Sequence, residues 1–480
     1  MASNSRLFFI VLSVSAALGI GNLFAFTYLK FDFSGIFFIP YLIALLVLGA
    51  PLLLLEFSTA QYFNKKVIDL FASIRKWFSS IGWLMIINSF ILMCIYAAVF
   101  SWHIIYFFVS FGTQWSQSPR TYFFSNVLQI SDGFRSFTRL SLPVFIALVI
   151  AWALIFLCIR KGYEGIKKKF FAVLAAFFAL SLFFLFYSLN LNNALSGVYS
   201  LLKLNFSGFL DLDLWIAAFS LAIISLGVSF GIMNVFARKS NKGFVAANSF
   251  IVVVLEFISA IALGLILFAI LGFLNGKGVI DASLAFNNYG SIFITLTQAL
   301  PFFHNPAVLS MLFFIFLSIF FLLGASALGY SIAHVLVHKF NAKQIHASIL
   351  VCGVGFLFGL IFAIRPGFYI MDIMAHFIYY NILLALLLES IAVGWFFDSD
   401  KISAFINQYS YVKLGKIWRF MIRFIVPLIL MVLIALQLKS DLFARYGNYP
   451  LWALIAFGAG IVAVPLIVAF LLPQRILDRR

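Results

Sequence analysis

Apolar residues run along this chain in stretches of about twenty, separated by short polar or basic connections, the pattern of helices that cross a hydrocarbon layer roughly 30 Å thick. The runs predict twelve spans at 7–29, 36–62, 80–111, 141–160, 170–190, 213–237, 245–274, 307–338, 344–364, 369–398, 418–438 and 450–472. Two connections, 112–140 and 275–306, are longer than the rest. The second contains "SIFITLTQALPFF", too apolar for a solvated loop, and is expected to fold back against the bundle, where irregular backbone is tolerated if protein or water surrounds it.

Two of the spans carry the same flaw. Span one contains Leu18-Gly19-Ile20-Gly21-Asn22 in its middle, and span six contains "SLGVSFG", Ser225 to Gly231. Glycines beside Asn or Ser at mid-depth free backbone N–H and C=O groups that something must satisfy, and in transporters the substrate and its coupling ions do so. Close packing of helices on small residues is the other explanation for such glycines. Two interruptions at matched places, spans one and six, fit five-span halves repeated with inverted topology. The expected organisation is one transmembrane domain over 1–480, with helices one to five in 1–200, helices six to ten in 201–400, and helices eleven and twelve in 401–480.

Composition agrees: 64% of the 480 residues are hydrophobic, 10% are charged, and the mean hydropathy is +1.12. The net charge of +17 would suggest nucleic acid in a soluble protein, but the basic residues cluster in alternate connections. Lys65, Lys66, Arg75 and Lys76 form one group; Arg160, Lys161 and Lys167 to Lys169 another; Arg238, Lys239 and Lys242, then Lys339 and Lys343, then Lys401 to Arg423, then Arg475 to Arg480 follow. The positive-inside bias makes that side the cytoplasm, puts both termini there and predicts a multi-pass protein of the plasma (cytoplasmic, cell inner) membrane. "MASNSRLFFIV" reads as the start of span one and not as a removable signal. Cys94, Cys158 and Cys352 all fall inside spans and read as reduced packing residues.

The stretch "ALGIGNLFAFTYLKFDFSGIFFIPYLIALLVLGAPLLLLEFSTAQY" resembles the first two spans of the neurotransmitter:sodium symporter family, with its A-x-G-x-G-N, G-x-F-x-I-P-Y and G-x-P-L-x-x-x-E patterns. "YAAVFSW", "WIAAFSLAIISLGVSFG", "GSIFITLTQALP", "FFLLGASALG" and "NILLALLLESIAVGWFFD" follow in the family's order. The resemblance implies the leucine-transporter fold: an all-α polytopic membrane protein of about twelve transmembrane helices, a 5+5 inverted repeat with helices one and six unwound. It also implies sodium-coupled import of a neutral amino acid by alternating access.

Carried over residue by residue, the resemblance implies a first sodium site from the Ala17 carbonyl, Asn22, Ser225, Asn248 and the substrate carboxylate. A second would use the carbonyls of Ser15, Leu18 and Leu322 and the Ser326 hydroxyl, with Ala325 standing where relatives have another hydroxyl. The substrate carboxylate would meet Tyr96 and the N–H groups around Gly21. Gly19 stands where amine-transporting relatives have an aspartate, so the substrate must bring its own acid. Leu92, Ile224, Gly227, Phe230, Ser326 and Tyr330 would line an uncharged pocket that suits an apolar or aromatic side chain. Glu56 matches the acid that supports the unwound sixth span. Glu256, one turn beyond Val252 on the face of Asn248, is an intramembrane carboxylate that either couples protons or pairs with a neighbouring hydroxyl or backbone group.

Several positions depart from the family. The outer-gate Arg is Ala25, and its Asp partner is Ala375 or His376; the inner-gate Asp is Phe340 or Asn341. Leu221 and Val252 replace polar ligands of the relatives' chloride site, so sodium is the expected ion and chloride is not. No organic cofactor is implied. Among rival classes, a membrane enzyme finds no H-E-x-x-H, paired-Cys or P-loop motif, and the one metal-like spacing, His334 and His338 in "HVLVH", lacks an acid or third His. A binding-only amino-acid sensor, a proton-coupled amino-acid transporter and a possible homodimer are the alternatives that the altered gates leave open.

Overall fold

The computed structural model describes residues 2–28, 34–112, 114–131, 133–134, 136–203, 206–240, 242–279 and 290–477. Side chains of 2–5, 20–28, 34–35, 206–207, 242, 291 and 473–477 lie outside that description, as does the expected loop around 280–289. The regular secondary structure of the described residues is helical, apart from one isolated backbone bridge between Leu140 and Ile364.

Among the described residues, ten helices are long and apolar enough to cross a membrane. With the first helix, the split sixth one and three short amphipathic segments they form, in chain order, α1 (Ala2–Tyr28), α2 (Phe38–Phe63), α3 (Val67–Ile74), α4 (Lys76–Val109), α5 (Leu142–Ile159), α6 (Gly162–Leu189), α7 (Ala194–Leu202), α8 (Leu212–Ser225), α9 (Ile232–Ala237), α10 (Val245–Gly276), α11 (Pro306–Lys339), α12 (Gln344–Phe362), α13 (Gly367–Phe396), α14 (Ser399–Tyr409), α15 (Lys416–Asn448) and α16 (Leu451–Leu472). The second long connection does fold back: Ile292 to Phe302 is a short apolar helical segment whose Ile292, Phe293 and Leu296 are buried.

Burial separates an inner from an outer set. In α4 89% of the central window is buried, against 28% in α15 and 17% in α16, so the last two helices lie on the outside of the bundle. In the middle α11 packs on α1 and α4, and α8 packs on α1. This inner set carries the polar side chains that a lipid-facing helix could not hold: Ser13 and Ser15, Ser89, Ser225 and Ser326 are all fully buried.

The expected break in span one is corrected. α1 is helical without interruption from Ala2 to Tyr28. Two glycines in a helix interior cost about 1 kcal/mol each, less than leaving several backbone groups unpaired in apolar surroundings. What Gly19 does is admit a close crossing: a Cβ there would fall inside the backbone of Gly324 on α11, and one on Gly324 would fall on the Gly19 carbonyl and 2.8 Å from the Tyr96 ring. Packing on small residues accounts for Gly19.

Candidate functional site

The break in span six is present. Asp211 caps α8 by accepting the Asp213 N–H at 2.9 Å, and the helix stops at Ser225. Beyond it Gly227, Ser229 and Gly231 have φ of +62°, +72° and +68°. Glycine adopts these angles freely, but Ser229 does not, and a non-glycine residue persists there only where its surroundings hold it.

Three neighbouring helices hold it. Glu56 on α2 accepts the Ser229 N–H through Oε1. Ser89 on α4 and Ser331 on α11 both donate to the Phe230 carbonyl, at 3.0 and 2.9 Å. Two of the freed backbone groups at the bend, the Ser229 N–H and the Phe230 carbonyl, are thereby satisfied inside a buried region, as an apolar surrounding requires. Ser89 and Ser331 were not among the sequence candidates, because a lone serine in an apolar span reads equally well as packing. Glu389 on α13 was missed too; it is fully buried within electrostatic range of Glu56, and an acid in the run "LALLLES" was the available signal.

Immediately before the bend, Ser225 Oγ lies 2.9 Å from the Tyr41 hydroxyl, which donates to Glu256 Oε1 at 2.6 Å. Ser225 also faces Glu256 directly. Hence α2, α8 and α10 meet in one knot of two hydroxyls and a carboxylate, sealed from solvent.

Asn248 is not in that knot. Its Oδ1 accepts from Arg6 Nε at 3.0 Å, and the Arg6 guanidinium lies 4.1 Å over the Phe244 ring. Arg6 precedes Asn22 by sixteen positions, about 24 Å along a continuous helix, so Asn248 and Asn22 are held at different depths. The residue of α10 that reaches Ser225 is Glu256, two turns further on. The Asn22 side chain, like that of Ala25, is outside the described residues.

The remaining candidates divide between two places. Ala17 and Leu18 are buried, and with Ser15 they run along α1 into the Gly19–Gly324 crossing. Leu322 and Ser326 flank Gly324 on the other helix, so the crossing gathers the residues expected for a second cation site; Ser326 also lies beside the Cys158 thiol. Tyr96 is at the same crossing, its ring edge-on to Phe321 with the centroids 5.8 Å apart, and Leu92 is one turn away on the same face. Ile224 and Phe230 are buried at the bend. Tyr330 instead stacks towards His334, 5.8 Å between ring centroids, near Tyr163, a turn beyond the crossing.

At the position expected for the outer gate, His376 on α13 pairs with Asp441 on α15, Nε2 to Oδ1 at 2.9 Å. Tyr380 donates to the same carboxylate at 2.6 Å, and Tyr446 stacks on the imidazole at 3.7 Å. Nearby, Tyr449 donates to Asp372 at 2.9 Å; burial, and then the adjacent Asp372 carboxylate, push its phenol well above the usual range. These polar contacts therefore tie α13 to α15 and the residues just after it. Phe340, at the inner-gate position, is exposed.

Comparison with known proteins follows the same lines. The model of the sodium:neurotransmitter symporter family matches residues 2–120 and 113–476. An uncharacterized sodium-dependent transporter of Methanocaldococcus jannaschii is 28% identical over 98% of this chain and 97% of its own length. A sodium- and chloride-dependent GABA transporter of Drosophila melanogaster is 25% identical over 94% of this chain and 52% of its own length. A sodium-dependent neutral amino acid transporter of Homo sapiens is 23% identical over 98% of this chain and 79% of its own length.

Proposed function

Because this chain belongs to the sodium:neurotransmitter symporter family, a family of membrane transporters and not of enzymes, we propose that it imports a neutral amino acid coupled to sodium by alternating access. The observation that carries the proposal is the bend at Leu226–Gly231, built into the most buried part of a multi-pass membrane protein and bordered by Tyr41, Ser225 and Glu256. A protein that needed only to span a bilayer would gain nothing from three left-handed residues at that depth. A transporter gains a place where helix ends and carbonyls meet a solute.

In this reading the twelve helices comprise two inverted halves, 1–200 and 201–400, followed by 401–480, and both termini lie in the cytoplasm. The Ala17 carbonyl, Asn22 and Ser225 hold one sodium ion. Ser15, Leu18, Leu322 and Ser326, at the α1–α11 crossing, hold a second. Tyr96 and the backbone near Gly21 take the substrate carboxylate. Leu92, Ile224, Gly227 and Phe230 form an uncharged surround for an apolar or aromatic side chain, since a charged one would be left unpaired. Tyr330 is left out of that surround because it faces His334.

The Tyr41–Glu256–Ser225 knot favours a second coupling mode. A carboxylate next to a sodium ligand supplies negative charge that otherwise has to come from a bound anion, which removes the need for chloride. The same group can take up a proton when the sodium leaves.

Uptake of a labelled amino-acid mixture into proteoliposomes, under an inward sodium gradient, an inward proton gradient or neither, is the test. Sodium-driven accumulation is the expected result. Proton-driven accumulation alone would shift the coupling to Glu256, and measurable binding without accumulation in any condition would overturn transport in favour of an amino-acid sensor.

A further inference from the structure

His334 and His338 have the i, i+4 spacing of a metal pair, and their rings lie 4.7 Å apart at 81°. Their surroundings are wrong for a cation. His334 is within electrostatic range of Arg238, Lys66 and Lys239 as well as His338, and His338 is within range of the same three. Three permanent positive charges would repel a metal ion from the imidazoles.

The fold brings these groups together for a local reason. A Cβ on Gly231 would meet the Ser331 hydroxyl at 3.2 Å and Val67 at 3.3 Å, so the starts of α9 and α3 and the middle of α11 touch there. From that contact α9 and α11 run side by side towards the basic connections. One turn on they carry Asn234 and His334; two turns on, Arg238 and His338; Lys66 immediately precedes Val67. Gln61 ties the end of α9 in place, donating to the Ala237 carbonyl at 3.1 Å and to Ser240 at 2.8 Å.

The charges of the group are only partly neutralised among the described residues. None of the ion pairs includes Lys66, Arg238 or Lys239. Asp69 is the acid that acts on Lys66 and Arg238, and the nearby Glu164 is paired with Lys167 at 3.7 Å. Partial burial, and then the Arg238 charge, lower the Lys66 pKa, so Lys66 is a cation held beside another; partial burial also lowers that of Arg238. A second observation points to a ligand: Asn234 is 1% exposed, and neither its Nδ2 nor its Oδ1 has a hydrogen-bond partner. Arg238 Nε is likewise buried and unpartnered. Buried polar groups without partners are rare enough that each calls for a reason.

We propose that Lys66, Arg238, Lys239, His334, His338 and Asn234 form a phosphate-binding site where α3, α9 and α11 converge, bridging the helix that follows the span-six bend to its neighbours. Lys66, Arg238 and Lys239 against Asp69 leave two uncompensated positive charges, which matches a phosphate dianion or a closely spaced pair of monoanions. Arg presents a planar fork to phosphate oxygens, the imidazoles and the Asn234 amide supply further donors, and a phosphate has enough acceptors for all of them. The phosphate can come from a soluble monoester or from an anionic lipid headgroup, because the group lies at the basic end of the bundle where anionic lipids gather.

The test measures thermal unfolding of the full chain in phosphatidylcholine nanodiscs, with either potassium phosphate against potassium chloride at equal ionic strength, or phosphatidylglycerol mixed into the disc. A ligand that binds the folded state raises the unfolding temperature with the logarithm of its concentration. Stabilisation by soluble phosphate alone assigns the site to a soluble ligand, and stabilisation by phosphatidylglycerol alone assigns it to lipid. In either case Lys66→Gln with Arg238→Gln must raise the half-saturating concentration at least about tenfold, the loss of one or two charge-assisted hydrogen bonds. Arg238→Lys, which keeps the charge, must retain most of the shift. Each variant is compared with and without ligand, so lower intrinsic stability does not hide the answer. No shift in either arm, or an equal shift in the double variant, overturns the proposal; none of these readouts depends on transport.

Discussion

The Glu56 carboxylate on α2 accepts the backbone N–H of Ser229, 173 positions away, and that one contact ties α2 to the left-handed residue at the centre of the span-six bend. Ser89 and Ser331 hold the adjacent Phe230 carbonyl from two further helices. Its two glycines permit the bend, and its neighbours hold the one left-handed residue in it that is not glycine.

Glu56→Ala removes the acceptor and leaves a buried N–H unpaired, at a cost of about 1–3 kcal/mol. The expected outcome is a lower unfolding temperature in detergent together with loss of amino-acid binding. Glu56→Gln keeps an acceptor oxygen and should recover most of the stability. If both variants matched the parent in unfolding temperature and in binding, the bend would not depend on this contact.

At the α1–α11 crossing the constraint is steric. Gly19→Ala or Gly324→Ala places a methyl group against backbone, and the second also presses on Tyr96. Neither helix can yield without moving its whole length, so overpacking of about 1–3 kcal/mol is expected, with Gly324→Ala weakening substrate affinity as well. Unfolding temperature and equilibrium binding, measured on the same preparation, separate the two effects. Unaltered stability in both variants would show that the helices are further apart than these glycines imply.

Tyr41→Phe removes the phenolic donor to Glu256 and leaves a buried carboxylate with fewer partners, and hydrogen bonds to charged groups are worth about 1.5–3 kcal/mol. Sodium-dependent uptake should fall, and any proton-driven component should change its pH profile. Glu256→Gln should abolish the proton-driven component altogether. Proton-driven uptake that persisted in Glu256→Gln would place that coupling on another acid, with Glu389 and Glu56 the next to examine.

Much of this was legible in the chain. Apolar run length located the spans, and Gly227 and Gly231 marked the bend in span six. Span one shows where reading stopped. A glycine amid small residues signals either an unwound turn or a close crossing, and the residue that decides, Gly324, is 305 positions from Gly19. Span seven shows a different gap. Asn248, Val252 and Glu256 recur at intervals of four on one helical face, so periodicity gives the face and says nothing of depth. Only the packed structure, in which Arg6 claims Asn248 and Tyr41 claims Glu256, sets the register. The serines that hold the Phe230 carbonyl were invisible for the same reason: their role depends on a backbone group brought from another helix.

That register leads to the most discriminating substitution. The family resemblance puts Asn248 in a sodium site with Asn22, whereas its contact with Arg6 puts it near the N-terminal end of α1. Sodium ligands must converge on one ion within a few ångströms, and about 24 Å of helix between Arg6 and Asn22 forbids that convergence. Asn248→Ala should then leave the sodium concentration for half-maximal binding within about twofold of the parent, because about 0.4 kcal/mol at most would be lost. Asn22→Ala should abolish sodium-dependent binding in a folded protein. A tenfold loss of sodium affinity in Asn248→Ala would mean that α10 slides or rotates to present Asn248 in the ion-bound state, and that the Arg6 contact belongs to a different step of the transport cycle. Equal and undiminished sodium affinity in both variants would remove the first sodium site from this chain.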